Sequence, residues 1–259
     1  MIDSLYIGAT GMGVQQTQID TIANNIANLN TTGFKKGRVS FEDLYYRRLN
    51  ALVPKSLDTR ANQIGLGVAI ASTSQVFTPG SLVQTSNPLD LAINGNGFFE
   101  VTDAAGQPLY TRAGSLKLDA DGNLLTQGGY ELASKIRVPA DATQITVTQD
   151  GTVTALLPNQ QTAITLGHIE LSNFANPEGL QSLGQGLYVP TEASGQAYIA
   201  QPGQNGTGTI SQGYLESSNV DLTSELVNLV VAQQAYQMNS RVIQISDSLL
   251  STVNSLRPA

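Results

Sequence analysis

The sequence predicts an α+β chain: long N- and C-terminal helices pairing as an α-helical coiled-coil domain, with a central antiparallel β domain inserted between them. Three observations predict it. Apolar residues recur every three and four positions at both ends of the chain, they alternate every second position in the middle, and the middle is punctuated by Asp-Gly turns.

The first element is a helix over residues 2–30. Ile2, Leu5, Ala9, Met12, Gln16, Ile19, Ala23 and Ile26 form a heptad that Ile22 and Leu29 widen. Asp3 or Ser4 caps its start, and Gly33, after Asn30-Thr31-Thr32, is a natural left-handed stop. Strands are predicted at 98–102, 109–112, 115–118, 124–126, 145–148, 152–156 and 164–171. Asp103-Ala104-Ala105-Gly106, Asp121-Gly122-Asn123 and Asp150-Gly151 supply the hairpin turns. Five glycines and a proline between 195 and 213 predict a loop or extended return. The last element is a helix of about 35 residues, or about 50 Å at 1.5 Å per residue. Leu222, Leu226 and Leu229 lead into the stripe Val231, Ala235, Met238, Val242, Ile245, Leu249 and Leu256, with Asp221 as N-cap and Pro258 at the end. The expected domains are therefore 1–34 with 214–259 as paired helices, 35–80 as an extended connector, and 81–213 as the β-rich domain.

Composition restricts what such a chain does. Of 259 residues only 13% are charged, 13 Lys and Arg against 20 Asp and Glu for a net charge of -7. An ordinary globular chain carries roughly 25%. Ser, Thr, Asn and Gln, at 21, 24, 18 and 22 residues, make up the difference. The acidic balance and the lack of a basic domain argue against nucleic acid. No apolar run reaches the ~20 residues of a transmembrane segment. The first fifteen residues have neither a basic start nor an apolar run, so no cleaved secretory signal is expected. With no cysteine there are no disulfides and no thiolate chemistry.

Charge is unevenly spread. Residues 31–60 hold seven bases, Lys35, Lys36, Arg38, Arg47, Arg48, Lys55 and Arg60, against three acids, whereas residues 138–240 hold eight acids and no base. Two readings stand: both are solvated faces, or copies of the chain meet head to tail through opposite signs. The first helix is shorter still of charge, with Asp20 alone between residues 4 and 34. A helix of that length standing in water would cover its outer face with Glu and Lys. Neutral amides there suit burial against helices of neighbouring subunits, where no charge must be desolvated.

Nothing in the sequence singles out an active site. His168 is the lone histidine and reads as one side chain of an alternating strand. Gly65-Leu66-Gly67 and Gly95-Asn96-Gly97 lack the third glycine of a dinucleotide loop. Asp119-Ala120-Asp121-Gly122-Asn123 begins like a calcium loop, but Leu124 and Tyr130 stand where that loop needs Gly and Glu, so a hairpin turn is expected. No catalytic residue, cofactor or metal site is assigned.

The run Ala23-Asn24-Asn25-Ile26-Ala27-Asn28-Leu29-Asn30-Thr31-Thr32-Gly33-Phe34-Lys35-Lys36 resembles the N-terminal signature of the bacterial flagellar axial proteins, the rod and hook family. Gly213-Tyr214-Leu215-Glu216-Ser217-Ser218-Asn219-Val220-Asp221, with Glu225-Leu226-Val227-Asn228-Leu229 and Gln233-Gln234-Ala235-Tyr236-Gln237-Met238-Asn239, resembles its C-terminal signature. Ile93-Asn94-Gly95-Asn96-Gly97-Phe98-Phe99 and Tyr110-Thr111-Arg112-Ala113-Gly114 resemble the pattern of its central β domain. Length and middle content favour a rod protein over a hook protein. The segment 41–67 favours the distal over the proximal rod type.

The resemblance implies a structural, non-enzymatic subunit that polymerises into a hollow shaft carrying torque from motor to hook. It implies helices forming the inner tube and the β domain the outer wall. Implied partners are copies of itself in a helical polymer, other rod and hook proteins, surrounding ring (bushing) proteins and the flagellar type III export apparatus; implied location is the basal body, spanning the periplasm. The expected assembly interface comprises Leu5, Met12, Ile19, Ile26, Asn24, Asn25, Asn28, Lys35 and Lys36 at the front. At the back it comprises Leu226, Leu229, Val231, Tyr236, Met238, Val242, Ile245 and Leu249. For Asn24, Asn25 and Asn28 two readings stand, bonding across subunits or ending the helix. For Lys35, Lys36 and Arg38 they are the acidic region of a neighbour or a solvated face.

Overall fold

A computed structural model of the chain describes residues 2–48, 63–158 and 162–255. Two compact units divide it: Met1–Ala27, Gly37–Ser74 and Asp221–Ala259 in one, Asn28–Lys36 and Gln75–Val220 in the other.

The first unit is built on helix α1, Ile2–Ala27, and helix α2, Leu222–Ser255. Asp221 starts α2 as its N-cap: the carboxylate accepts from the Thr223 N–H at 2.9 Å, satisfying one of the donors that the first turn leaves free, and from the Ser224 hydroxyl at 3.1 Å. An arm of short strands completes the unit. Gly37–Asp43 pairs with Val68–Gln75, and Tyr46–Arg48 pairs antiparallel with Gln63–Gly65.

These helices correct the expected coiled-coil pair. Among the described residues they are the only α-helices, the remainder being β-rich, and the apolar heptad of α2 does not form the contact between them. The enclosed row of α1 is Gly8, Gly11, Val14, Ile22 and Asn25, and that of α2 is Glu225, Ala232 and Ser246. A Cβ on Gly8 would stand 2.9 Å from Ile243 Cγ1, and one on Gly11 2.7 Å from Asn239 Nδ2. Small residues thus bring the two backbones close, and glycine and an amide interrupt the regular apolar knobs that a coiled coil packs into holes. The heptad of α2 is turned to solvent, with Val231 59%, Met238 63% and Ile245 59% exposed. Leu256 and Pro258 lie outside the described residues, as do Lys55 and Arg60.

The second unit is antiparallel β, as the period-two pattern requires. Its largest sheet has nine strands. Phe98–Thr102 lies within it, paired with Pro108–Thr111, Glu131–Leu132 and Leu171–Asn173. Gln144–Val147, Thr152–Leu156 and Ile164–His168 form a three-stranded sheet. Strands Phe98–Thr102, Leu124–Thr126 and Thr152–Leu156 fall where the sequence puts them. The single strand expected over 164–171 is broken in two, Ile164–His168 and Leu171–Asn173, and the return over 195–213 contains strands Tyr198–Ala200 and Thr209–Gln212. Asp119 to Asn123 is a hairpin turn, closed by the Gly122 N–H on the Asp119 carbonyl at 3.0 Å.

Successive side chains of a strand face opposite ways, and Phe98 and Phe99 use this to join two cores. Phe99 sits with Leu91, Ile93, Val101, Leu171 and Ile210 in the aliphatic core. Phe98 joins Tyr110, Phe174 and Tyr188, with Phe77 against them, in edge-to-face contacts 4.9–5.9 Å between centroids.

Candidate assembly site

Two arrangements concentrate the residues of the terminal motifs. One lies in the β-rich unit, where residues 33–36, 76–80 and 216–219 are laced together. Glu216 is its centre. Lys35 Nζ donates to Glu216 Oε1 at 2.6 Å and to the Thr78 carbonyl at 2.8 Å, the Gly80 N–H donates to the same Oε1 at 2.9 Å, and Arg112 Nη1 donates to Oε2 at 3.3 Å. The backbone repeats the connection. The Gly33 N–H donates to the Glu216 carbonyl at 2.8 Å, and Asn219 accepts from the Lys36 N–H at 2.8 Å while donating to the Val76 carbonyl at 2.7 Å. Gly33 adopts a φ of +68°, and a Cβ there would stand 2.8 Å from the Ala113 nitrogen, so glycine is required twice over.

Lys35, Arg112 and Glu216 are 0%, 2% and 2% exposed. Burial pushes the Lys35 ammonium below its usual range, the neighbouring Glu216 opposes that, and Arg112 adds to it. Burial likewise lowers Arg112, against the pull of Glu216. The nearby phenols move the other way: burial, then the Glu100 charge, pushes Tyr110 up to about 12, and burial pushes Tyr188 up further.

The other arrangement is the surface of the helical unit. Of the expected interface residues, Leu226, Val231, Tyr236, Met238, Val242, Ile245 and Leu249 are exposed on α2, and Leu229 is half-buried. Leu5, Met12, Ile19 and Ile26 are half-buried on α1. Asn24 is exposed, whereas Asn25 is enclosed: its amide donates to the Gly37 carbonyl at 3.0 Å and to Glu225 at 3.3 Å, and its oxygen accepts from the Gly37 N–H at 2.8 Å. Asn28, partly buried, accepts from the Thr31 hydroxyl at 3.1 Å. Lys36 is half-buried, and Lys35 is spent on Glu216 rather than offered to a neighbour. Pattern reading gave no individual role to Glu216, Arg112 or Asn219. Their one signal was an isolated charge or amide in a strongly patterned segment.

Comparison with known proteins follows the same segments. Residues 5–35 match the family described as flagella basal body rod protein, 92–155 the flagellar hook protein FlgE/F/G D1 domain, and 211–256 the flagellar basal body rod FlgEFG protein C-terminal. Over 97% of the chain and 98% of the relative it is 44% identical to the flagellar basal-body rod protein FlgG of Agrobacterium fabrum. It is 39% identical to that of Bacillus subtilis over 99% of the chain and all of the relative. The chain belongs to the FlgG family of flagellar basal-body rod proteins. A more distant likeness, 25% identity over 96% of the chain and 98% of the relative, is to the flagellar hook protein FlgE of Escherichia coli.

A FlgG-family chain is a structural subunit of the basal-body rod, not an enzyme. His168, exposed at the end of the half-buried strand Ile164–His168, faces Thr152 across the sheet, with Nδ1 at 3.1 Å from the Thr152 hydroxyl. No helix among the described residues is long and apolar enough to cross a membrane.

Proposed function

We propose that this chain is the distal rod subunit of a hollow drive shaft, polymerising with copies of itself through its terminal helices and joining other rod and hook proteins at the ends. The observation that carries the reading is the exposed apolar run of α2: Leu226, Val231, Met238, Val242, Ile245 and Leu249 face solvent along one helix. Contiguous apolar surface of that extent marks an interaction site. A helical polymer needs heterologous contacts, in which one face meets a different face of the next copy. Tyr236 and Leu229 extend the run on α2, and Leu5, Met12, Ile19 and Ile26 on α1 supply further apolar contact.

In this reading residues 1–34 and 214–259 line the inner tube, 35–80 connect, and 81–213 form the outer wall. Ring (bushing) proteins surround that wall within the periplasm, and the chain reaches its place through the flagellar type III export apparatus. The exposed Asn24 and the half-buried Lys36 are the polar candidates for contacts between subunits, while Asn25 and Lys35 serve the subunit's own fold.

The test is a double substitution, Met238→Asp with Ile245→Asp, in the full chain. Both side chains are exposed, so helical content by circular dichroism is expected to be unchanged. Tubes or fibres seen by negative-stain microscopy of the concentrated parent protein are expected to vanish. Polymers that persist in the double variant overturn the reading.

A further inference from the structure

Within the β-rich unit a pocket of about 430 Å³ opens beside the buried charge cluster, lined by Arg112 with Phe77, Phe98, Phe174, Asn96 and Ala175. It contains none of the exposed apolar residues assigned above to assembly. Arg112 is held on three sides: Nη1 donates to Glu216, Nη2 donates to the Gly95 carbonyl at 2.9 Å, and the guanidinium carbon stands 5.3 Å from the centroid of the Phe98 ring. Its Nε is buried and has no acceptor among the described residues. A buried donor left unmade is costly, and guanidinium carries its five N–H groups in one plane suited to a carboxylate.

Charge points the same way. Lys35 and Arg112 share Glu216 as their ion-pair partner, so the enclosed trio carries one positive charge in excess. Burial pushes both cations toward their neutral forms, and Glu216 opposes it at each. The matching group is an anion with hydrogen-bonding oxygens, and aromatic walls add apolar contact on either side of it.

We propose that this pocket binds a carboxylate, received at the Nε edge of Arg112 between the aromatic side chains. Such a group has two sources, a small free acid or an Asp or Glu side chain of a second copy. The acid-only region 138–240 makes the second source abundant in any polymer of this chain.

The experiment follows the Arg112 Nε–H resonance by NMR in the full chain during titration with sodium acetate, against sodium chloride at equal ionic strength. A saturable shift with slowed solvent exchange is expected for acetate and none for chloride. Ala175 is exposed at the pocket, and Ala175→Phe, which fills the mouth, is expected to weaken acetate at least ~10-fold with no change in unfolding midpoint. Arg112→Lys keeps the charge but loses the Nε donor; chemical shifts of the pocket backbone are then expected to ignore acetate. If that variant unfolds, Ala175→Phe still decides. A shift that grows with protein concentration in the absence of acetate, and that acetate reverses, assigns the carboxylate to a second copy, whereas a response to acetate alone assigns it to a free acid. No response, an equal response to chloride, or undiminished affinity in Ala175→Phe overturns the proposal.

Discussion

Glu216 answers two enclosed cations, and that stoichiometry makes its neighbours unequal. Removing the carboxylate leaves Lys35 and Arg112, both enclosed, without their shared counter-charge, whereas removing Lys35 leaves a balanced Arg112–Glu216 pair. Breaking a buried pair costs about 3–5 kcal/mol, while replacing one with well-packed apolar groups is close to neutral. Glu216→Gln is therefore expected to lose about 3–5 kcal/mol in chemical denaturation and Lys35→Met less than about 2 kcal/mol. The Thr78 carbonyl that Lys35 would abandon retains the Asn219 amide as a donor at 3.2 Å. Equal losses in the two variants would refute this account. The phenol beside the cluster gives a second test. Tyr110 holds its proton to about pH 12 when folded and to about 10 when unfolded, so the stability it contributes is complete below pH 10 and lost as the pH rises toward 12. The lowered Lys35 acts oppositely: the unfolded chain keeps that proton up to 10.5, so part of the burial cost disappears as the pH approaches that value. Tyr110→Phe is expected to flatten the decline in stability between pH 10 and 12, followed by denaturation at each pH; an unchanged slope would assign that decline to other groups.

At the level of elements, glycine positions separate where the chain has slack from where it has none. A Cβ on Gly114 would stand 1.5 Å from the Leu91 carbonyl oxygen, a backbone atom whose position is fixed by the sheet pairing of Leu91–Asn94. A Cβ on Gly11 meets the far end of the Asn239 side chain, which can turn away. Gly114→Ala is thus expected to cost about 1–3 kcal/mol or more, as overpacking does, and Gly11→Ala much less, by thermal unfolding; the reverse order would contradict the close approach at Gly114. The two glycines also show what the sequence disclosed. The start of α2 was legible because its cap is local: Asp221 bonds within its own first turn; α1 instead ends at Ala27, short of the expected 30, and holds the cap candidates Asp3 and Ser4 inside it. Strands 98–102 and 152–156 were legible because alternation and turn residues sit side by side. Which face of a helix is buried was not legible. The apolar heptad of α2 is the obvious candidate, yet Gly8 and Gly11 allow a closer approach on another face and leave that heptad free. The Glu216 cluster was hidden for a related reason: Lys35, Arg112 and Glu216 are separated by 77 to 181 residues, and only the folded sheet brings them together.

For the whole molecule the decisive quantity is which force draws copies together. The uneven charge of the sequence invites an electrostatic answer, but Lys35, one of the bases in the 31–60 segment, is enclosed. Along α2 the charged residues are Glu225, Arg241 and Asp247, and Glu225 is buried against Asn25. Exposed apolar side chains greatly outnumber them on that helix. Attraction between exposed charges falls away within about 8 Å at physiological ionic strength and about 3 Å at 1 M, whereas burial of apolar surface is strengthened by sulfate and weakened by cooling. Polymers held by the α2 face are therefore expected to survive a rise in sodium chloride to about 1 M, to gain mass in ammonium sulfate, and to shed subunits when chilled, as followed by sedimentation. Assembly through opposite charges gives the contrary pattern, dissolution by salt with little effect of cold. The Met238→Asp and Ile245→Asp variant distinguishes the two mechanisms again at low salt, since it adds negative charge that a basic neighbour would welcome. Only an apolar contact is expected to fail there.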